Sequence, residues 1–291
     1  MVLTMDDRDG YIWLDGQLVD WRSANVHILT HAMHYASSVF EGERAYNGVV
    51  FEQDKHHQRL IDGAAFMGMK VPWSLEQINQ AVSDTLKANG LVDAYVRPLV
   101  WRGAERISVS APDATIHLAI ATWPWPKYFP DEVIKNGMRL DISKWRRPSP
   151  ETAPATIKAA GLYMICTLSS NEALSKGYND ALLLDYRGDI SEATGANIFL
   201  IRDGVIHTPD PHCILNGITR QTIIRLARER GIEVIERPIP FEELGSFDEV
   251  FLTGTAYEVI GVSSIGDHSF TMGDTTRQLA KDYDDLVNRR V

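Results

Sequence analysis

Alternation of apolar and polar residues dominates the start of the chain. The segment Tyr11–Leu14 is followed by Asp15-Gly16 and by residues 17–19. An Asp-Gly pair accepts the positive φ angles of a tight turn, so this pattern predicts a β-hairpin. Two longer apolar runs, 94–101 and 116–122, have the length and composition of strands. The first part of the chain is therefore expected to form a sheet.

Helical periodicity interrupts these strands. Residues 55–69 carry an apolar stripe, which indicates an amphipathic helix. Ser74 and Gln77 have the spacing of a capping box, which predicts the start of a second helix. Residues 221–230 form a third candidate helix, which Gly231 is expected to close.

The second half of the chain repeats both signals. Strands are predicted at 181–185, 197–201, 205–208, 232–235 and 250–252. Strands and helices in both halves indicate an α/β or α+β fold. Proline and tryptophan stiffen the segment from residue 123 onward. We therefore expect a small N-terminal α/β domain at 1–122, a linker at 123–135 and a larger C-terminal α/β domain at 136–291.

Composition excludes several classes of protein. The 291 residues are 44% hydrophobic and 23% charged, as in a globular protein. The net charge of −10 argues against a nucleic-acid partner. Two cysteines, Cys166 and Cys213, fit a reducing compartment. Residues 1–9 do not resemble a secretory signal, and no apolar run is long enough to span a membrane. These features predict a cytoplasmic protein without membrane contact.

One lysine stands in an otherwise uncharged stretch. Lys158 is the only charged residue between Glu151 and Glu172. Apolar surroundings lower the pKa of a lysine and make its neutral amine available for Schiff-base chemistry. The alternative is a lysine that extends from a buried helix toward solvent.

Three further segments could bind an anion or a ring nitrogen. Glu192 lies among small residues before a strand, and it could also be an ordinary turn residue. Gly217 leads into a helix whose first amides, at Ile218 and Thr219, would face an anion, although a glycine before a helix is common. Residues 253–256 follow a strand and form a small-residue turn with available amides.

Each of these segments is a weak signal alone, but their occurrence together in this order is characteristic of one protein family. The chain resembles the branched-chain aminotransferase group of fold-type IV pyridoxal-phosphate (PLP) enzymes, from Tyr11 to Ile265. The matching segments are 31–42, 57–60, 95–98, the stretch around Lys158, 190–192, 217–220 and 254–256. The resemblance implies a two-domain architecture like that of D-amino-acid aminotransferase. It also implies PLP as cofactor and a homodimer or larger homo-oligomer.

The resemblance also implies a role for each cofactor residue. Lys158 would bind PLP covalently and carry the proton as the catalytic base. Glu192 would pair with the pyridine nitrogen, and Tyr163 with the ring oxygen. The phosphate would be held by Arg59, Ile218, Thr219 and Thr255.

Substrate residues follow from the same resemblance. Tyr95 with the amides of Thr255 and Ala256 would bind the α-carboxylate, and Arg97 the distal carboxylate of glutamate or 2-oxoglutarate. The side-chain pocket would be walled by Tyr35, Phe40, Trp125 and Tyr128, unless these aromatic residues belong to the core. The implied activity is ping-pong exchange of the amino group of leucine, isoleucine or valine with 2-oxoglutarate, in amino-acid biosynthesis.

The chain departs from this family just after Arg97. Residues 102–110 replace the usual glycine- and methionine-bearing loop. Arg102 or Arg106 could therefore bind a carboxylate, or both could be solvated loop charges. Two alternatives within the fold stay open: an (R)-selective amine or D-amino-acid transaminase, and an aminodeoxychorismate-lyase-like enzyme. A degenerate, non-catalytic relative is disfavoured because Lys158 and Glu192 are both present.

A metal-dependent hydrolase is a different class of hypothesis. His27, His31 and His34 have spacings of four and three residues and could share one helix face. Ile28 follows His27 where such hydrolases carry a glutamate, and no further ligand pattern is evident. We therefore predict that the histidines pack or cap, and that no metal is bound.

Overall fold

A computed structural model describes residues 4–126 and 128–288. The described chain divides into two compact units. Unit one runs up to Pro126 and also contains Lys158–Gly161, and unit two contains the rest. The domain boundaries given above stay a prediction, and residues 1–3, 127 and 289–291 of those ranges lie outside the described residues.

Unit one is built around a single sheet. Its elements are β1 (Tyr11–Leu14), β2 (Gln17–Asp20), α1 (His31–Tyr35), β3 (Ser38–Phe40), β4 (Glu43–Tyr46), β5 (Val49–Val50), α2 (Gln53–Phe66), α3 (Leu75–Ala88), β6 (Ala94–Arg102) and β7 (Ile116–Pro124). Within residues 4–126 the strands form one seven-stranded antiparallel sheet in the order β2-β1-β7-β6-β4-β5, with β3 also on β6. The predicted hairpin is confirmed, with positive φ at Asp15 and Gly16.

Strand β6 organises the site-bearing part of unit one. β3 pairs with the C-terminal part of β6 and β4 with its N-terminal part, so the Glu41-Gly42 junction lies beside the middle of β6. Side chains alternate along a strand, so Tyr95 and Arg97 share one face. Val96 and Val100 on the other face are fully buried, and α2 packs against β3 and β6.

Unit two is also built around a sheet, with helices packed on it. Its elements are α4 (Asp131–Asn136), β8 (Met138–Arg147), α5 (Tyr163–Ser175), β9 (Asp180–Asp185), β10 (Ile190–Ala193), β11 (Asn197–Arg202), β12 (Val205–Thr208), α6 (Ile218–Glu229), β13 (Val234–Glu236), β14 (Glu249–Gly254), β15 (Glu258–Ile265), β16 (His268–Ser269) and α7 (Asp274–Val287). The described strands form a nine-stranded mixed sheet in the order β10-β9-β8-β15-β14-β11-β12-β13, with β16 on β15. β10 also pairs with β11, so six strands form a closed ring of pairings.

Closure of this ring encloses an apolar core. Leu140, Leu182, Ile198, Val250 and Val262 are among its buried members. Helix α5 packs on β8 and β9, whereas α6 and α7 pack on β14 and on each other. Among the residues that the structure describes, no helix combines the length and apolarity that a membrane crossing requires.

Several element boundaries differ from the prediction. The third predicted helix begins at Ile218 rather than residue 221, and the strand after Gly231 begins at Val234 rather than 232. The shift at Gly231 has a local cause, because Ile232 N bonds Ala227 O and extends the helix closure. Glu192 lies in a strand, β10, and is not a turn residue. Lys158 lies outside any helix, so the buried-helix alternative is wrong.

Candidate active site

Lys158 lies against the aromatic ring of Phe40 in unit one. Its carbonyl accepts a hydrogen bond from Phe40 N (3.2 Å), and Ala159 forms a β-bridge with Val39. The side-chain amine lies 4.9 Å from the centroid of the Phe40 ring. Backbone pairing therefore fixes the lysine beside β3, although more than one hundred positions separate them in sequence.

Arg97 also lies against the Phe40 ring. Its guanidinium carbon is 4.8 Å from the Phe40 ring centroid, and Nη2 donates to the Tyr95 hydroxyl at 3.2 Å. The Tyr95 ring is stacked on Trp123, its cross-strand partner, at 5.0 Å and lies 4.6 Å from Trp125. The Lys158 amine and the Arg97 guanidinium thus lie over the same Phe40 ring, and Arg97 connects that ring to the Tyr95 hydroxyl. The substrate roles of Phe40, Tyr95 and Trp125 stay predictions.

Tyr35 occupies a more exposed position. It ends α1, is 42% exposed and packs against His31 at 4.7 Å. Its predicted place in a pocket wall stays a prediction.

Arg59 is held by a buried acid. Its Nε and Nη2 donate to Oε1 and Oε2 of Glu41 at 2.6 and 2.8 Å. His56 Nδ1 lies 2.7 Å from the same Glu41 Oε2. Burial by itself would raise the pKa of Glu41, but Arg59 and His56 outweigh it and hold that pKa well below its usual value.

Glu192 is the centre of a buried polar group in unit two. The residue is 8% exposed. Asn197 Nδ2 donates to its Oε2 at 3.0 Å, and Arg147 Nε lies 3.2 Å from its Oε1. Arg147 is itself anchored by Cys213 O and Ala155 O. The neutral Asn197 amide and the cationic Arg147 guanidinium therefore both hold the Glu192 carboxylate, one at each oxygen.

The first turn of α6 lies beside this group. Asn197 Nδ2 also donates to Leu215 O at 2.8 Å, which ties Glu192 to the segment before the helix. Gly217 is the N-cap and makes no side-chain cap bond, and the amides of Ile218 and Thr219 have no acceptor within the helix. Arg220 is fully buried and binds Pro209 O, Asn216 and Glu236. The start of the helix is thus rigidly held.

The turn between β14 and β15 carries the remaining predicted anion ligands. Thr255 and Ala256 are half-buried there. The next residue, Tyr257, donates to Oδ2 of Asp180 at 2.8 Å, and Thr194 donates to Oδ1 at 2.6 Å. Burial raises the pKa of Asp180, and burial together with the Asp180 charge raises the pKa of Tyr257. One buried carboxyl group therefore connects the strand of Glu192 with this turn.

Two predicted residues of unit two are partly exposed. Tyr163 is half-buried and begins α5. Tyr128 is 51% exposed, and its ring lies 4.7 Å from Phe129 and 5.7 Å from Tyr257. Tyr128 is thus connected through Tyr257 to the turn that carries Thr255.

Both interpretations of Arg102 are wrong. It ends β6, is 8% exposed, and donates to the carbonyls of Ala111, Met67 and Gly68. These bonds anchor the loop at 102–110 to the end of α2, so Arg102 is neither solvated nor a carboxylate ligand. Arg106 is exposed, as expected for a loop charge.

The three histidines do not share a helix. His27 precedes α1, and its Nδ1 accepts from Leu29 N. His31 lies within hydrogen-bond distance of Ser37 and Ser108 O, and His34 of Ile28 O. Across residues 4–126 and 128–288, no group of three or more His, Cys, Asp or Glu side chains could hold a metal ion.

Sequence reasoning missed the residues that support these groups. Glu41 and Gly42 lie within the matching segment 31–42, but the sequence pattern predicted no function for them. It predicted none for Arg147 or Asn197 either. Glu41 could have been found from the sequence, because two acidic residues, Glu41 and Glu43, lie on either side of Gly42 at the junction of two buried strands. A buried carboxylate requires a partner, which points to the basic residues of α2.

Comparison with known proteins places the chain in a family. Residues 38–265 match the family Amino-transferase class IV. The chain is similar to a branched-chain-amino-acid aminotransferase of Pseudomonas aeruginosa (40% identity, 98% of this chain and 95% of the relative). It is also similar to a probable branched-chain-amino-acid aminotransferase of Rickettsia felis (42% identity, 95% and 96%).

A solved structure agrees with these relatives. The branched-chain amino acid aminotransferase of Thermoproteus uzoniensis, crystallised with norvaline, has a TM-score of 0.92 at 36% identity, covering 97% of this chain and 95% of that one. The chain therefore belongs to the class IV aminotransferases. The resemblance predicted from the motifs, the fold-type IV architecture and the prediction of an aminotransferase are confirmed.

Proposed function

We propose that this chain is a PLP-dependent transaminase that exchanges the amino group of branched-chain L-amino acids with 2-oxoglutarate by a ping-pong mechanism. One observation carries the proposal. In unit one the Lys158 amine and the Arg97 guanidinium both lie within 5 Å of the Phe40 ring, and Arg97 is bonded to the Tyr95 hydroxyl. An amine for the reaction thus lies near a receptor for carboxylates, on an apolar surface.

The residues present fit PLP by their chemistry. The buried Glu192 carboxylate suits a protonated ring nitrogen. The Arg59 guanidinium and the uncapped first turn of α6 suit a phosphate dianion. The Lys158 amine suits an aldehyde. When bound, PLP supplies that aldehyde and an electron-withdrawing ring.

The chain's own cofactor ligands act in distinct ways. Lys158 would hold the cofactor through Nζ, and its amine, once displaced by the substrate amine, would be free to take the proton from the α-carbon of the substrate. Glu192 accepts the ring N–H and keeps that proton in place, while Asn197 and Arg147 hold Glu192. Tyr163 donates to the ring oxygen. The phosphate is bound by Arg59, by the Ile218 and Thr219 amides, and by Thr255.

The proposed substrate contacts are assigned by the chemistry of the side chains and amides. Tyr95 and the amides of Thr255 and Ala256 bind the α-carboxylate, and Arg97 binds the distal carboxylate of the acidic co-substrate. The branched side chain packs against Phe40, Trp125, Tyr35 and Tyr128, which are aromatic and suit an apolar group.

Structures of relatives support this choice of cofactor and substrates. One branched-chain amino acid aminotransferase that this chain resembles at 34% identity was crystallised with N-(5'-phosphopyridoxyl)-L-glutamate, and also with 4-methylvaleric acid. The first ligand contains a distal carboxylate and the second a branched apolar chain. We further propose that the chain acts as a homodimer or larger homo-oligomer in the cytoplasm, in branched-chain amino-acid biosynthesis.

A substrate titration tests the proposal. L-leucine should bleach the visible absorption of the PLP-loaded protein, whereas D-alanine and (R)-1-phenylethylamine should not. The Arg97→Met variant should keep the response to L-leucine and lose most of the turnover with 2-oxoglutarate. Bleaching by the D-amino acid or the amine alone would refute the substrate assignment.

Two variants test the cofactor assignment separately. Lys158→Ala should lose the covalent cofactor band, and an unchanged band in that variant would overturn the central role of Lys158. Glu192→Gln should retain PLP and lose most turnover. Near wild-type rates in Glu192→Gln would contradict its role.

A further inference from the structure

Glu41 is a fully buried acid at the junction between β3 and β4. Its exposure is 0%, and both its oxygens point to basic residues of α2. The junction is fixed from the other side as well, because Glu41 N donates to Pro98 O of β6 at 2.9 Å. The carboxylate therefore belongs to the rigid sheet rather than to a mobile loop.

The contact with Arg59 is a two-point fork. Nε and Nη2 of Arg59 bond different oxygens of Glu41 at 2.6 and 2.8 Å. A guanidinium is planar, so fixing two of its nitrogens fixes the plane and direction of the whole group. The long arginine side chain thereby loses its rotamer freedom before any ligand arrives.

His56 completes the group from one turn before Arg59 on α2. Its Nδ1 lies 2.7 Å from Glu41 Oε2, the oxygen that also accepts from Arg59 Nη2. The side chains of Glu41 and His56 are 0% and 3% exposed, but that of Arg59 is 20% exposed. The acid and the histidine are thus enclosed, and the guanidinium is the member that reaches an accessible surface.

We infer that Glu41 is a positioning residue for cofactor binding: it holds the Arg59 guanidinium in the orientation that receives the phosphate of PLP, and His56 holds Glu41. This inference rests on the proposed function, in which Arg59 binds that phosphate. A purely structural ion pair is the alternative, since buried pairs often contribute little net stability.

The two roles differ in what they do to ligand discrimination. Pyridoxal has the ring and aldehyde of PLP without the phosphate. Loss of a positioning contact for Arg59 weakens PLP and leaves pyridoxal unaffected, whereas general damage to unit one weakens both. The quantity to measure is therefore the ratio of the dissociation constants of pyridoxal and PLP for the apoprotein, in phosphate-free buffer.

Glu41→Gln keeps the shape of the side chain and removes its charge. We expect PLP binding to weaken by about tenfold with pyridoxal binding unchanged, so that the ratio falls by the same factor. Glu41→Asp withdraws the carboxylate by one methylene and should also lower the ratio, which covers the case in which Glu41→Gln does not fold.

A matched control lies two residues away. Glu43 is equally buried, and its Oε1 lies 3.2 Å from Nε2 of His57 rather than near Arg59. Glu43→Gln is expected to lower the melting temperature of the apoprotein without changing the ratio. An equal fall of the ratio in the Glu43 and Glu41 variants would overturn the positioning role.

Arg59→Ala separates failure of this inference from failure of the proposed function. If Arg59→Ala lowers the ratio and neither Glu41 variant does, Glu41 is only structural and the phosphate assignment stands. If Arg59→Ala weakens PLP and pyridoxal equally, the assignment of Arg59 to the phosphate is itself wrong.

Discussion

Gly42 and Tyr95 are packed so closely that no side chain fits between them. A Cβ atom built on Gly42 would lie 2.1 Å from the Tyr95 hydroxyl and 3.0 Å from its Cζ. The same hydroxyl accepts the hydrogen bond from Arg97. The absence of a side chain at Gly42 therefore leaves room for the Tyr95 hydroxyl, which bonds Arg97. Both residues are proposed to bind substrate carboxylates.

Gly42→Ala should displace the Tyr95 hydroxyl and disturb substrate binding. We expect kcat/KM for L-leucine to fall by about tenfold or more, because a bond to the substrate carboxylate is misplaced. Steady-state kinetics with PLP in excess measure the effect. In the Tyr95→Phe background, which lacks the hydroxyl, Gly42→Ala should lower kcat/KM less than it does in the wild type. The effects of the two substitutions should therefore not add. Fully additive losses would show that the contact is irrelevant to catalysis.

Gly217→Ala should act in the same way on unit two. Its Cβ would lie 2.2 Å from Oδ1 of Asn197, whose amide nitrogen bonds Glu192 and Leu215 O. Displacement of Asn197 frees the carboxylate, so we expect turnover to fall by about tenfold. Asn197→Ala serves as the control. Adding Gly217→Ala to the Asn197→Ala variant should lower turnover little further. A large additional fall in turnover would contradict the explanation.

Arg147→Met should destabilise the protein strongly. The change leaves Glu192 and the carbonyls of Ala155 and Cys213 without a buried cation. Breaking a buried pair in this way costs about 3–5 kcal/mol in the free energy of unfolding. Urea unfolding followed by circular dichroism measures the loss.

Lys144→Met is the matched control for Arg147→Met. Lys144 pairs with Glu172 at 2.9 Å, and 64% of its side chain is exposed. An exposed pair contributes about 1 kcal/mol or less. Equal destabilisation by the two substitutions would refute the buried role of Arg147.

Glu41→Gln should destabilise the protein in a pH-dependent way. Arg59 and His56, against the effect of burial, hold the pKa of Glu41 below its unfolded value of about 4.3. The stabilisation is therefore complete above that unfolded pKa and is lost as pH falls toward the folded pKa. Urea unfolding at pH 7 and pH 4 should show the gap between wild type and variant narrowing at pH 4. A constant gap would contradict the pairing.

His57→Gln should give the opposite pH dependence. Burial lowers the pKa of His57, but Glu43 outweighs burial and raises it above its usual value. A raised folded pKa gives stabilisation that is complete below the unfolded pKa of about 6.5 and is lost as pH rises through the folded pKa. The gap between wild type and His57→Gln should therefore narrow between pH 6 and pH 9. A gap that widens over this range would show that Glu43 does not hold the proton on His57.

Local sequence determined most of the regular elements. The hairpin at Asp15-Gly16, the capping box of Ser74 and Gln77, and the strands β6 and β7 follow from turn chemistry and side-chain alternation. These signals act within a few residues, so a linear sequence contains them completely. The motif order likewise indicated the aminotransferase family, which the relatives confirmed.

Tertiary structure alone decided which side chains support the proposed catalytic groups. Lys158 lies beside Phe40 because its segment pairs with β3, and Glu41 binds Arg59 because β3, which ends just before Glu41, packs against α2. Arg102 is buried because the end of α2 offers it carbonyl oxygens. These contacts join residues distant in sequence, and desolvation makes each buried charge depend on its spatial partner. The sequence by itself determined the family and indicated the candidate reactive residues, whereas the orientation of their side chains required the folded chain.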